Sequence, residues 1–137
     1  FGVATWLNMN GFRLWGNNTA CYPGNTDPKD RWFSVRRFMS WDDNTFIQTY
    51  FQKVDDPLNK RLIEALVDSE NVRGNSFVSR GICARHEIQY IESENPTTSL
   101  LNGCITFHKY LSPFNPAEDI EELVEFDPNA ISDGLGG

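Results

Sequence analysis

The residue types that could do covalent or metal chemistry are few in this chain: three cysteines, two histidines and a surplus of carboxylates. Cys83 stands three residues before His86, and Cys104 four before His108. A cysteine held against a histidine can become a thiolate nucleophile. Both pairs fall in stretches whose apolar residues alternate, so both are expected on strands. On a strand, an odd separation sends Cys83 and His86 to opposite faces. A separation of four leaves Cys104 and His108 about 13 Å apart along one face. His86 and His108 could meet across neighbouring strands, but no third ligand of obvious origin accompanies them. The sequence has no C-x-x-C, no H-E-x-x-H, no G-x-S-x-G and no glycine-rich phosphate loop. The reading is that the chain has no catalytic residue, no metal site and no cofactor. Each histidine is taken as a partly buried side chain that needs one hydrogen-bond partner. Asp42-Asp43 and Asp55-Asp56 are read as caps and turns, because nothing places two carboxylates across a cleft.

The elements that must position these residues are legible in outline. Residues 3–8 and 13–15 read as short strands joined by Asn10-Gly11, a pair suited to a tight turn. Residues 16–31 read as a loop pinned by Trp15 and Tyr22. A first helix is expected from 31 or 32 to 53, with Val35, Met39, Phe46, Tyr50 and Val54 on one face. The run Ser40-Trp41-Asp42-Asp43-Asn44 could break or kink it, and residues 46–51 would also suit a strand. A second helix is expected to be capped by Asp56, to start at Pro57 and to stop at Gly74. Strands follow at 82–91 and 104–111, with a turn or short helix at 94–103 between them. Residues 118–127 fit a strand through Ile120, Val124 and Phe126, although Ile120, Leu123 and Val124 would suit a helix. After Pro128 a tail that needs no fixed structure is expected. The fold class is α/β in the α+β sense: two helices packed on a small antiparallel or mixed sheet.

Composition excludes several functions. With 137 residues, 39% apolar and 13% aromatic, the chain is long enough for one domain with a core. The formal net charge is -7, and its excess lies in one place. Glu118, Asp119, Glu121, Glu122, Glu125, Asp127 and Asp133 follow Pro116 with no basic residue among them, while acids and bases before them balance. A nucleic-acid binder needs a basic stripe. Here the only basic doublets are Arg36-Arg37 and Lys60-Arg61, so direct nucleic-acid binding is not expected. No run approaches the ~18 apolar residues of a membrane span, so no membrane insertion is expected. The opening FGVATWLNMNG lacks the basic front and cleavage site of a signal peptide. The first residue is Phe. A longer natural chain that extends before it is expected, although processing would explain the missing Met equally well.

Several irregular motifs together resemble a known family. Trp15-Gly16-Asn17-Asn18-Thr19, Asp27-Pro28 and Val35-Arg36-Arg37 resemble the C-terminal domain of bacteriophage contractile tail sheath proteins, closest to the P2-like type. Asp56-Pro57-Leu58-Asn59, Arg61-Leu62-Ile63-Glu64, Asp68-Ser69-Glu70-Asn71, Glu94-Asn95-Pro96-Thr97-Thr98 and Asn115-Pro116-Ala117-Glu118-Asp119-Ile120 extend the likeness over the whole chain. Asn18 departs from it, since the family more often has Arg there. The resemblance implies a structural module and no enzyme. Residues 1–127 would be the inner sheath domain and 128–137 a flexible tail. It implies a homo-oligomer of six-fold rings stacked helically around a tail tube protein, with baseplate and tail terminator proteins at the ends. Arms from neighbouring subunits would complete the sheet by adding strands. Assembly would take place in the host cytoplasm, and the product would be a virion tail that contracts to drive the tube through the envelope. Arg36, Arg37 and the acidic residues from Glu118 to Asp127 are the candidate subunit or tube interface. A baseplate or terminator module, or a small Cys/His hydrolase, is the alternative.

Overall fold

In the computed structural model, which describes residues 4–136, the Asn-Gly pair makes the turn it predicts. Asn10 and Gly11 have φ of 55° and 118°, values that favour these two residue types. They close the antiparallel hairpin β1 (Thr5–Asn8) and β2 (Phe12–Trp15). The expectations for Val3 and Gly137 lie outside the described residues. The loop that follows holds one short helical turn, α1 (Pro28–Arg31), capped by Asp27. It leads through buried Trp32 into α2 (Phe33–Tyr50).

Helix α2 has no cap from its own flank; Asn17 supplies one from a distance. Asn17 Oδ1 accepts from Ser34 N at 2.9 Å, and its backbone carbonyl accepts from Phe33 N at 2.7 Å, which satisfies orphan donors of the first turn. The helix runs unbroken through Ser40-Trp41-Asp42-Asp43-Asn44, where a break was thought possible. Asp42 is held by ion pairs, and the Thr45 hydroxyl bonds back to the Trp41 carbonyl at 2.8 Å. Phe46 and Tyr50 stack at 4.8 Å, one helical turn apart, so this stretch is helix and not strand. A 3₁₀ turn, Phe51–Lys53, ends it.

Helix α3 (Lys60–Ser79) differs from expectation at both ends. Its cap is Asn59, which accepts from Leu62 N at 2.9 Å, not Asp56. Gly74 does not end it; Gly74 is buried in mid-helix, where the chain needs a residue with no side chain. Strand β3 (Cys83–Gln89) follows, then helix α4 (Thr97–Leu101) and strand β4 (His108–Pro113). Strands β3 and β4 pair antiparallel, with a register shift between Cys83 and Arg85. That bulge brings Cys83 to the buried side beside His86 and Ile88 and leaves Ala84 exposed, which corrects the expected alternation. Residues 104–107, expected in the strand, lie outside it. Asn95 holds them instead: it donates to Thr106 O at 2.8 Å and accepts from Thr106 N at 2.7 Å. Asn71 does the same for β3, donating to Ile88 O at 3.1 Å and accepting from Ile88 N at 2.8 Å. Each amide stands in for a strand neighbour.

Two expectations for the C-terminal end are corrected. Residues 118–127 form no strand, because no edge within the described chain pairs with them. The segment from Pro128, expected to need no fixed structure, forms helix α5 (Pro128–Gly134). Asp127 Oδ1 caps it, accepting from Asn129 N at 3.0 Å. The architecture is α+β: two long helices and two small antiparallel sheets. The apolar core is thin among the described residues, with Trp32, Val35, Phe77, Cys83 and Ile88 buried. An aromatic contact chain ties the layers. Phe77 on α3 meets Phe38 and Trp41 on α2 at 5.5 and 5.8 Å, and His86 on β3 at 5.7 Å. No helix among the described residues is long and apolar enough to cross a membrane.

Candidate assembly interface

The residues singled out for chemistry do not form a reactive site. His86 pairs across the sheet with Leu111, and His108 with Gln89, so the two histidines do not meet. Cys83 is buried, and desolvation together with the nearby Asp42 charge raises its thiol pKa, the opposite of an activated thiolate. Cys104 is exposed, and its thiol lies 3.9 Å from the Asn102 carbonyl. His108 Nδ1 lies 3.0 Å from Glu94 on the surface. His86 Nε2 lies 3.0 Å from Asp42 Oδ1 with both side chains fully buried, so each histidine has its one partner. The expected partner of the hydrolase reading, a carboxylate, is thus present, but in a closed interior.

That interior holds what the sequence reading missed. Asp42 on α2, Glu70 and Arg73 on α3, His86 on β3 and Lys109 on β4 converge in one cluster. Arg73 Nη2 donates to Asp42 at 2.7 Å and to Glu70 at 2.5 Å, and Arg73 Nε donates to Glu70 at 3.0 Å. Lys109 Nζ contacts both carboxylates, 3.1 Å from Glu70, and sits 5.3 Å from the Phe46 ring. The ligand atoms of Asp42, Glu70 and His86 lie within 4.8 Å of one another, a spacing a metal ion could use. Lys109 and Arg73 already occupy the ground between them and balance both carboxylates, so the arrangement is an ion-pair lock. It joins both helices and both strands of the main sheet. Asp42 is not the cap or turn residue that its sequence context predicts; it is the fully buried centre of this lock. The sequence reading touches the cluster at His86, at Asp42 and at Glu70 of the motif Asp68-Ser69-Glu70-Asn71, without joining them.

Burial pushes the Asp42 carboxyl upward, but contacts with Lys109 and His86 and the charge of Arg73 outweigh it and hold the group below its ordinary value. Glu70 behaves likewise: burial raises it, and Arg73 and Lys109 bring it down further than burial lifts it. A carboxylate with a depressed folded-state pKa adds stability above its unfolded value and loses it as pH falls through the folded value. Unfolding midpoints in urea are therefore expected to hold from neutral pH down to about pH 4 and to fall steeply below. A midpoint unchanged down to pH 3 would mean that these carboxylates are not coupled to folding.

The predicted interface residues fall into four places. Arg36 and Arg37 are exposed on α2. Arg36 lies 3.6 Å from Asp30, and Arg37 flanks a shallow groove with Leu14, Phe33 and Trp41. Neither meets the acidic segment. Glu118 meets Arg31 instead, at 2.7 Å. Asp119, Glu121, Glu122 and Glu125 are exposed without a partner among the described residues, and Asp127 caps α5. The apolar residues between them are bare as well: Ile120, Leu123, Val124 and Phe126 are 86%, 96%, 84% and 73% exposed. Phe114 N still donates to Ile82 O at 3.1 Å and Glu118 is held by Arg31, but residues 119–126 form an arm with no pairing among the described residues, which leaves the body next to a two-stranded sheet whose β4 edge is open among those residues.

Comparison with known proteins decides the relationship. The major tail sheath protein of Serratia phage KSP20 is 28% identical over 125 residues, covering 90% of this chain and 30% of that protein. The tail sheath protein of Escherichia phage P2 is 25% identical over 119 residues, 87% of this chain and 29% of that protein. That of Burkholderia phage BcepMu is 31% identical over 104 residues, 75% of this chain and 22% of that protein. The chain is homologous to the phage tail sheath proteins. It spans less than a third of their length. No family model matches it. The fold agrees with that homology. A chain of the contracted sheath complex of PVC, an extracellular contractile injection system, superposes with a TM-score of 0.75 at 17% identity, over 90% of this chain and 36% of that one. A chain of the six-fold symmetrised anti-feeding prophage baseplate gives 0.73 at 15%, over 85% and 34%.

Proposed function

We propose that residues 1–127 are the inner domain of a contractile tail sheath subunit, which polymerises in stacked rings around a tail tube and shortens to drive that tube through the host envelope. The observation that carries the reading is the exposed arm at 119–126, unpaired among the described residues, beside an open strand edge. Its alternating Ile120, Val124 and Phe126 suit strand addition to a sheet in another copy, where main-chain hydrogen bonds resist tension. Its acidic residues, with Arg36 and Arg37 on the body, are the proposed polar contacts to neighbouring copies or to the tube, and baseplate and terminator proteins are the proposed partners at the polymer ends. Energy for contraction would lie in the difference between two packings of the same subunits. Deleting residues 119–137 from the naturally expressed protein is expected to abolish sheath-like polymers in electron micrographs. It should change the unfolding free energy by only about 0.5 kcal/mol, as for exposed segments in general. Polymers of normal length after this deletion would defeat the proposal.

A further inference from the structure

We infer that Arg31, Asn18 and Glu118 form a fixed root for the C-terminal arm, setting where the arm leaves the body and so how efficiently it reaches a neighbouring copy; the inference rests on the arm reading proposed above. The Glu118 carboxylate is gripped through both oxygens. Oε2 accepts from Arg31 Nη2 at 2.7 Å, and Oε1 accepts from Asn18 Nδ2 at 2.6 Å. Arg31 Nε closes the triangle by donating to Asn18 Oδ1 at 3.0 Å. Neither holder is loose. The Arg31 guanidinium lies between the Tyr22 and Trp32 rings, 4.4 and 4.2 Å from their centroids. Asn18 is bridged to Trp32 through the backbone, and Thr19 N donates to Arg31 O at 2.7 Å. Just before Glu118, Pro116 is half-buried, and with Ala117 it lines a small cleft shared with Leu14, Trp15 and Trp32. From Ala117 to Ile131 every residue is exposed, so Glu118 is the last point at which the arm is held.

The consequence is geometric. Strand β4 ends at Pro113. With the root closed, the free arm begins at Asp119. Phe114 N donates to Ile82 O at 3.1 Å, so with the root open the arm begins after Phe114, and the four residues 115–118 join a flexible tether. The concentration a tethered strand presents to its target falls roughly as the −3/2 power of tether length once the span is met, so releasing the root lowers arm capture by about five- to tenfold without removing any contact between copies. Holding the segment in one direction also removes ordering that pairing would otherwise require. Asn18 accepts from Arg31 and donates to the carboxylate, while Arg31 brings the positive charge.

Glu118→Gln tests this. Both holders present donors to the side chain, and a glutamine has one oxygen to offer them, so the variant loosens the root while keeping size. In the naturally expressed protein, the expected result is an unfolding temperature equal to the parent's. Cleavage of the monomer within residues 115–118 by a limiting protease should be about fivefold faster, and polymer yield at fixed protein concentration about five- to tenfold lower. If deletion of 119–137 abolishes polymers while Glu118→Gln leaves yield and cleavage unchanged, the root is overturned and the arm reading stands. If Glu118→Gln lowers the unfolding temperature along with the yield, the triangle serves folding and the inference is likewise overturned. If the deletion itself leaves polymers intact, the arm reading fails and takes the root with it.

Discussion

Asp42→Asn is expected to destabilise the protein by about 3–5 kcal/mol. The carboxylate has no exposure to solvent, and it faces Arg73, His86 and Lys109 at once. Asparagine matches its shape but removes its charge. Arg73 and Lys109, whose side chains are 21% and 16% exposed, are then left with Glu70 as their one buried counter-charge. The cost lies mostly in that uncompensated cation, not in any single lost bond. Thermal unfolding should shift down by roughly 10 °C for a chain of this size. Asp43→Asn, one residue along and exposed, is the control and should stay within about 0.5 kcal/mol. Equal effects at the two positions would show that the ion-pair lock contributes nothing.

This lock explains why part of the fold was legible in sequence and part was not. The Asn10-Gly11 turn and the apolar stripes of α2 and α3 are local, and local rules found them. Asp42-Asp43-Asn44 and Gly74 also look like local signals, for a possible break and a stop, yet α2 runs on through the first and α3 through the second. Their roles are set by partners far along the chain: His86 lies 44 positions from Asp42, and it is also what Gly74 packs against. Periodicity cannot report such pairings. The irregular motifs did better because they are where buried polar side chains satisfy backbone. Asn17 caps α2, Asn71 completes the edge of β3, Asn95 holds the chain before β4, and Glu70 joins the lock. These amides and acids lie outside any apolar stripe, so only a motif marks them. Residues 118–127 failed for another reason. Their alternation is that of a strand, yet a strand exists only where an edge receives it, and among the described residues no such edge is supplied by the same chain.

The same dependence on distant partners should reverse an ordinary rule at Gly74. Replacing a mid-helix glycine by alanine usually stabilises a helix by about 0.5–1 kcal/mol, because glycine gives up more backbone freedom on folding. At Gly74 a methyl group would lie 2.6 Å from the His86 carbonyl oxygen and 2.8 Å from its Cγ, and closer still to Nδ1. Neither neighbour can step aside alone. The carbonyl belongs to β3, which is paired with β4 through Leu111 opposite His86, and the ring is fixed by Asp42 at 3.0 Å. Relief therefore requires α3 to move off the sheet or His86 to give up its partner. Overpacking of this kind, with a buried hydrogen bond at stake, is expected to cost about 3 kcal/mol, so Gly74→Ala should lower the urea midpoint. Asn75→Ala, at the next and exposed position on the same helix, should leave it unchanged or raise it slightly. Adding His86→Ala to Gly74→Ala removes the ring from the clash and leaves the carbonyl, so the pair should cost less than the sum of the two single changes. A Gly74→Ala protein as stable as its parent would mean that α3 does not approach β3 this closely. The buried cluster would then lose the packing that closes it from solvent.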